Sequence, residues 1–379
     1  MYPRLFKPLE RQSFFLFGPR GTGKTSWLQT HFPLAFRVDF LHEDTFLQLQ
    51  ASPSRLEGLL PSGFKDWVVL DEVQRIPAIL NEVHRLIEAK KLRFALTGSS
   101  ARKLRKQGAN LLAGRAITES FFPLTAQELG SDFSLSRSLQ TGHLPLAVQS
   151  EDPRAFLRSY VATYLREEIM QEGLVRNLGA FARFLEAASF SQAQYLNVSA
   201  VAHESSVERK VVEDYFQVLE DLLIGVRLPV FAKRAKRKTT KHPKFFFFDC
   251  GVYRAIRPQG PLDSHSEIDG PGLETLVLQE LRALNSYLRW DYQIFCWRTA
   301  GAAPDEVDFV LYGSRGLHAI EVKRSARITA ADLKGLLAFK KEYSLARLML
   351  LYGGTREYSE QGVEILPIEQ AVAQFHELF

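Results

Sequence analysis

Cysteine is scarce in this chain. Cys250 and Cys296 are the only two in 379 residues. That excludes a disulfide framework and argues against a zinc site, and it fits a reducing cytoplasm in which both thiols are small buried apolar groups. Long apolar runs are missing as well. None approaches the roughly 18–20 residues that a membrane-crossing helix needs. The first residues, Met1-Tyr2-Pro3-Arg4-Leu5, show no signal-peptide pattern, so the expectation is a cytoplasmic protein with no membrane partner. Internal repeats and long disordered tracts are absent. What remains is ordinary for a soluble globular protein: 46% hydrophobic and 24% charged residues, in a length suited to two or three domains. The formal net charge is only +5, yet seven Lys and Arg crowd into residues 233–244.

The most specific local pattern is Gly18-Pro19-Arg20-Gly21-Thr22-Gly23-Lys24-Thr25-Ser26. It matches G-x-x-x-x-G-K-[ST] without a mismatch, after the apolar run Ser13-Phe14-Phe15-Leu16-Phe17 and before a helix-compatible stretch. A strand that delivers a glycine-rich turn to a helix N-terminus leaves bare N–H groups pointing inward, where they wrap a phosphate. Residues 18–26 are therefore candidates for ATP binding. Lys24 would reach the β- and γ-phosphates, and Thr25 would hold Mg²⁺ through its hydroxyl.

A second run, Trp67-Val68-Val69-Leu70-Asp71-Glu72, reads as a buried parallel strand with acids at its C-terminal end. Ligands bind at that end of strands in open α/β sheets. Asp71 would support Mg²⁺, and Glu72 would polarise the water that attacks the γ-phosphate. The adjacent Asp-Glu pair points to ATPases with an added strand between the P-loop strand and the acid strand. Leu92-Arg93-Phe94-Ala95-Leu96-Thr97, ending in Gly98-Ser99-Ser100, supplies that third strand. Ser99 is the first candidate at its tip for sensing the γ-phosphate, and Thr97 the second. Arg115 follows a basic stretch (Arg102, Lys103, Arg105, Lys106) and precedes another apolar run. It is a candidate finger for a neighbouring subunit's nucleotide.

In this order, and with Phe-Phe-Pro-Leu-Thr-Ala-Gln-Glu-Leu after them, the motifs resemble those of AAA+ ATPases. More narrowly, the chain resembles a prokaryotic AAA+ family with a C-terminal domain of restriction-endonuclease-like type. The resemblance implies a homo-oligomer, a hexameric ring or spiral, with ATP and Mg²⁺ as cofactors.

The middle of the chain reads as a winged helix. A helix at 181–188 precedes a short helix near 196–202 with Ser199 as N-cap. A longer amphipathic helix then places Val211, Tyr215, Val218 and Leu219 on one face. The basic run would be the wing, with Lys233, Arg234, Lys236, Arg237, Lys238 and Lys241 touching nucleic-acid phosphates. Residues 258–272, rich in Pro and Gly, read as a linker before a helix at 273–284. On that helix lies Glu274. Asp308 follows on one strand, and Glu321 and Lys323 on the next, where alternation puts them on one face. These four match the nuclease pattern. The resemblance implies Mg²⁺ bound by the Asp and Glu carboxylates, with the lysine aiding the nucleophile. The same fold also persists as a binding platform.

The expected fold is α/β: an AAA+ P-loop ATPase core (1–123), a helical lid (124–175), a winged helix (176–250) and a restriction-endonuclease-like domain (251–379). The expected function is Mg²⁺-dependent ATP hydrolysis that remodels or translocates DNA, with branched DNA and Holliday junctions among the compatible substrates. The rivals are a signalling or defence NTPase that gates a nuclease, and a protein-remodelling ATPase.

Overall fold

Uninterrupted apolar strands demand a sheet covered on both faces, and the N-terminal part of the chain builds one. The computed structural model describes residues 2–99, 104, 112, 114–165, 169, 175, 177–232, 242–261, 263–301 and 303–379. It contains two compact units: Arg4–Pro123 with Asp221–Leu223, and Met1–Pro3 with Leu124–Glu220 and Ile224–Phe379.

In the N-terminal unit five strands are parallel: β1 (Ser13–Phe17), β2 (Phe36–Asp39), β3 (Trp67–Asp71), β4 (Arg93–Gly98) and β5 (Ala116–Ser120). Their order is β2-β3-β4-β1-β5. So β4 lies between the P-loop strand and the acid strand, as the Asp-Glu pair suggests. Every residue of β1 and β3 is buried. Strand alternation sorts them to two faces. Phe15, Phe17, Val68, Leu70, Phe94 and Leu96 join one core with Val83 and Leu86 of the helix Ile79–Lys90. Phe14 faces the other way, 5.5 Å from Trp67 and 6.3 Å from Phe6, ring centre to ring centre. Burying each such aromatic contributes roughly 1.5–3 kcal/mol.

The second unit holds two sheets. The smaller is antiparallel, in the order β6-β8-β7, with β6 (Gln194–Tyr195), β7 (Gly225–Leu228) and β8 (Lys244–Phe247). Helices Leu178–Ser189, Val198–Ser205 and Arg209–Asp221 precede the hairpin. Phe216 packs 4.9 Å from both Phe184 and Phe245, and Val212 and Val218, not Val211, are the buried valines of the last helix. The short helix is capped by Asn197, whose side chain accepts from the Ala200 N–H, rather than by Ser199. An amide two residues upstream wins because the chain turns helical earlier than the polar pattern suggests.

The larger sheet has the order β13-β14-β12-β11-β10-β9. Its strands are β9 (Gln293–Arg298), β10 (Glu306–Gly313), β11 (Gly316–Lys323), β12 (Arg347–Tyr352), β13 (Tyr358–Glu360) and β14 (Val363–Pro367). The helix Ala330–Glu342 buries Leu333, Leu336 and Phe339 against this sheet's core. The helix ahead of it runs His265–Tyr287, with Pro271 inside. Residues 265–272 are therefore helix and not linker. Ser264 and Glu267 form a capping box, and Asp269 is ion-paired with Arg254 at 2.6 Å and with Arg324 at 3.2 Å. Those contacts offset the hydrogen bond that Pro271 cannot donate.

A buried polar knot fastens the residues after 124. His143 lies between the Leu124 carbonyl (2.8 Å) and the Ser138 hydroxyl (2.7 Å). The Asp249 carboxylate accepts from the His143 N–H at 2.7 Å and caps the helix Cys250–Ile256 through the Val252 N–H at 3.0 Å. Burial pushes the Asp249 carboxyl above its usual range, against the pull of those N–H donors. A Cβ on Gly251 would meet the Thr141 carbonyl at 2.3 Å, so only glycine allows this approach. Asp249→Ala leaves both donors buried and unpaired. It is expected to destabilise this unit by about 3 kcal/mol, read as an earlier denaturation midpoint of its transition. An unchanged midpoint would show that the knot is not structural.

Candidate functional site

Strand β1 ends at Phe17 and delivers the loop 18–23 to the helix Lys24–His31. Gly21 (φ 82°) and Gly23 (φ 91°) take left-handed backbone that L side chains rarely adopt. Arg4 braces the loop by donating to the carbonyls of Thr22 (2.8 Å) and Phe122 (2.7 Å). Thr22 donates its hydroxyl to the Pro19 carbonyl at 2.9 Å. The Lys24 ammonium is buried within the loop it belongs to, 2.7 Å from the Gly18 carbonyl and 3.0 Å from that of Pro19. Arg20 is half-buried at the loop's rim; Thr25 and Ser26 are exposed.

Strand β3 brings its acids to the same place. The Thr25 hydroxyl donates to Asp71 Oδ2 at 2.6 Å, and the Thr97 hydroxyl at the end of β4 donates to Asp71 Oδ1. Glu72 sits at φ 59°, a left-handed conformation unusual for a residue with a side chain. Strain of this kind persists where surrounding structure enforces it, and it recurs at functional sites. The side chain at this position is held by Gln74, on the single turn Val73–Arg75. Its amide donates to the Glu72 carboxylate and lies 3.3 Å from the Ser99 hydroxyl. The Gln74 carbonyl oxygen is buried without a partner, and a Cβ on Gly98 would come within 2.3 Å of it.

Lys24, Thr25, Asp71, Glu72, Thr97 and Ser99 thus belong to one constellation, linked through the Thr25–Asp71–Thr97 and Glu72–Gln74–Ser99 chains. Gln74 was not visible as a participant from sequence. Its only signal is its position two residues beyond the acid pair. Arg115 lies on the surface, with its guanidinium 2.5 Å from the Glu88 carboxylate.

Residues 10–130 match the family model of an AAA domain. The N-terminal unit is of the AAA type. A domain of this type implies nucleotide binding. Beyond the AAA unit, residues 132–263 match a domain of unknown function (DUF8612) and residues 269–371 another (DUF4143). An uncharacterized protein of Haemophilus influenzae is 21% identical over 322 residues, covering 80% of this chain and 76% of that protein. Among solved structures, the Aeropyrum pernix ORC1 protein in complex with DNA is similar at 15% identity. It covers 66% of this chain and 86% of that one, with a TM-score of 0.26. Protein VC1899 from Vibrio cholerae (11% identity, 97% and 96% covered, TM-score 0.24) is also similar. So is Can2 from Sulfobacillus thermosulfidooxidans in complex with cyclic tetra-adenylate (11%, 97% and 98%, 0.21). All three likenesses are distant. Among the described residues, no helix is long and apolar enough to cross a membrane.

The AAA unit's donors suit Mg²⁺. A hydroxyl and a carboxylate oxygen, both hard ligands, already point at one another 2.6 Å apart beside the P-loop. Thr25 and Asp71 would hold the ion, which when bound neutralises phosphate charge.

The second unit assembles the other predicted constellation, with one unexpected member. Glu274 projects from the helix His265–Tyr287, Asp308 from β10, and Glu321 and Lys323 from β11. Asp308 sits where β10 shifts register against β9, an irregularity that re-aims a side chain. Asp308 Oδ2 accepts from the Val322 N–H at 3.0 Å, and Glu321 accepts from the Asp308 N–H at 3.4 Å. Lys323 is paired with Glu321 at 2.6 Å. The addition is Lys244, the first residue of β8. Its ammonium is buried, 2.8 Å from Asp308 and 3.1 Å from Glu274. The sequence places Lys244 in the basic run, yet it faces carboxylates and not solvent. The other members of that run, Lys233, Arg234, Lys236, Arg237, Lys238 and Lys241, lie outside the described residues.

Electrostatics tie this cluster together. Burial opposes charge on Lys244, but Asp308 and Glu274 outweigh it and hold the ammonium protonated. Burial would also raise Asp308, but Lys244 and Lys323 bring its carboxyl below the usual range. Glu274 and Glu321 are each pushed up to about 8, by burial first and by Asp308 second.

Proposed function

We propose that the chain is an oligomeric ATPase whose Mg²⁺-dependent hydrolysis of ATP remodels or translocates DNA. The observation that carries the hydrolytic half is the joined geometry of Lys24, Thr25, Asp71 and Glu72 at the C-terminal ends of β1 and β3. Lys24 binds the terminal phosphates, and Thr25 with Asp71 holds the ion. Glu72, kept at its left-handed turn and tethered to Gln74, takes the proton of the attacking water. Ser99 reports on the γ-phosphate through the same Gln74.

The DNA half rests on the second unit and on the basic run. Three helices followed by an antiparallel hairpin support a winged-helix reading of residues 176–250. The six-stranded mixed sheet with its carboxylates and lysine supports a restriction-endonuclease-like fold for the C-terminal part. The short helices between 124 and 175 take the lid's place in the chain. The deciding experiment measures ATP turnover with and without single-stranded, duplex and branched DNA. Stimulation supports the DNA reading. Turnover indifferent to every DNA, with no binding, would favour a protein client or a signalling role.

The basic run has its own test. Each phosphate neutralised on duplex DNA contributes about 0.9 to the log–log salt slope. Replacing Lys236, Arg237 and Lys238 with alanine is expected to weaken binding across sequences and to flatten that slope. Equal slopes for wild type and variant would mark the run as solvated surface.

A further inference from the structure

The carboxylates of the second unit do not fit a divalent ion as they stand, because two ammonium groups already sit against them and would have to be displaced. Asp308 spends one oxygen on Lys244 and the other on the Val322 N–H. Glu321 spends its pair on Lys323 and the Asp308 N–H. Glu274 is engaged by Lys244. Among the described residues no group of three acidic, His or Cys side chains is arranged to hold a metal.

We infer that Lys244 is the resident cation of this cluster, and that its ammonium occupies the position a divalent metal would otherwise take. Three carboxyls face two ammonium groups here, so the lysines supply counter-charge to the acids with no metal. The lysine is also firmly mounted. Tyr195 of β6 lies beneath it, with the ammonium 5.8 Å from the ring centre. Lys244 pairs in register with Leu228 and Tyr195 at the start of β8. The chain just after β7 is fastened to the large sheet as well. Phe231 N–H donates to the Cys296 carbonyl at 2.7 Å, and Cys296 N–H donates to the Pro229 carbonyl at 2.9 Å. The small sheet's β7 end is therefore stitched to β9. Four aromatics in a row, Phe245 to Phe248, are buried and hold the strand down. The consequence is an ion-pair lock between the two sheets of the unit, with a latent divalent-cation site under the lysine.

Removing Lys244 leaves Asp308 and Glu274 without the ammonium that pairs with both, and neighbouring carboxylates that have lost a shared cation recruit a hard divalent one. The test is Mn²⁺ binding to the full nucleotide-free chain, followed by calorimetry and by the melting temperature. Wild type is expected to bind no Mn²⁺ that depends on Asp308, and its melting temperature should not respond to the ion. Lys244→Met is expected to melt earlier, to bind about one Mn²⁺ per chain, and to regain part of the lost melting temperature as the ion binds the folded state. Lys244→Met/Asp308→Asn should lose that binding. Mn²⁺ bound by wild type and lost in Asp308→Asn would overturn the inference. So would a folded Lys244→Met that ignores the ion. Should Lys244→Met not fold, wild type against Asp308→Asn still decides: Asp308-dependent Mn²⁺ overturns the lock, and none supports it.

Discussion

Glutamine in place of Glu72 is expected to leave ATP bound and to cut turnover by about 10²–10⁴-fold, the usual contribution of a positioned general base. The substitution keeps the length of the side chain and its contact with Gln74, and removes only the ability to accept a proton. Asp71 is a poor substitute because both its oxygens already accept hydroxyl bonds, from Thr25 and Thr97. Lys24→Ala should behave differently. It removes the ammonium seated in the P-loop, so nucleotide affinity falls before any chemistry begins. Equilibrium nucleotide binding together with single-turnover hydrolysis separates the two. Wild-type turnover in Glu72→Gln would place the base elsewhere, whereas tight ATP with stalled hydrolysis assigns it.

What could be read from sequence follows from how local each signal is. The P-loop and the acid strand are contiguous patterns whose chemistry needs those residues side by side, and β1, β3 and β4 sit where their apolar runs predict. The place of β4 between the P-loop strand and the acid strand follows from the same Asp-Glu pair. Gln74 escaped because its role is a contact between turns, set by the left-handed backbone at Glu72. Lys244 escapes for a different reason. A count of charges along 233–244 cannot tell which lysine turns inward, although the four phenylalanines that follow Lys244 mark the start of a buried strand. Gly270-Pro271-Gly272 looked like a break because Pro and Gly are poor helix formers. The capping box at Ser264 and the ion pairs of Asp269, which span the fold, override that preference.

Arg115→Ala is expected to lower turnover by about 10³–10⁵-fold if the guanidinium completes a neighbouring subunit's site, the range seen for arginine fingers in phosphoryl transfer. In the single chain Arg115 is held by Glu88, and both side chains are substantially exposed, at 38% and 50%. Exposed pairs of this kind contribute little to stability, so a γ-phosphate with greater charge can draw the arginine away when subunits assemble. Two variants separate action in trans from action within one chain. Arg115→Ala subunits keep an intact P-loop but offer no finger, and Lys24→Ala subunits offer a finger but bind nucleotide poorly. Mixed together, they form interfaces in which a good site meets a good finger, and turnover should reappear. Glu88→Gln, which weakens the ion pair but keeps the arginine, should retain activity and serves as the control. Turnover per wild-type subunit should also rise with protein concentration as the interfaces fill. If the mixture stays silent and the ATP-bound protein remains monomeric, Arg115 is a surface residue paired with Glu88, and each subunit must complete its own site.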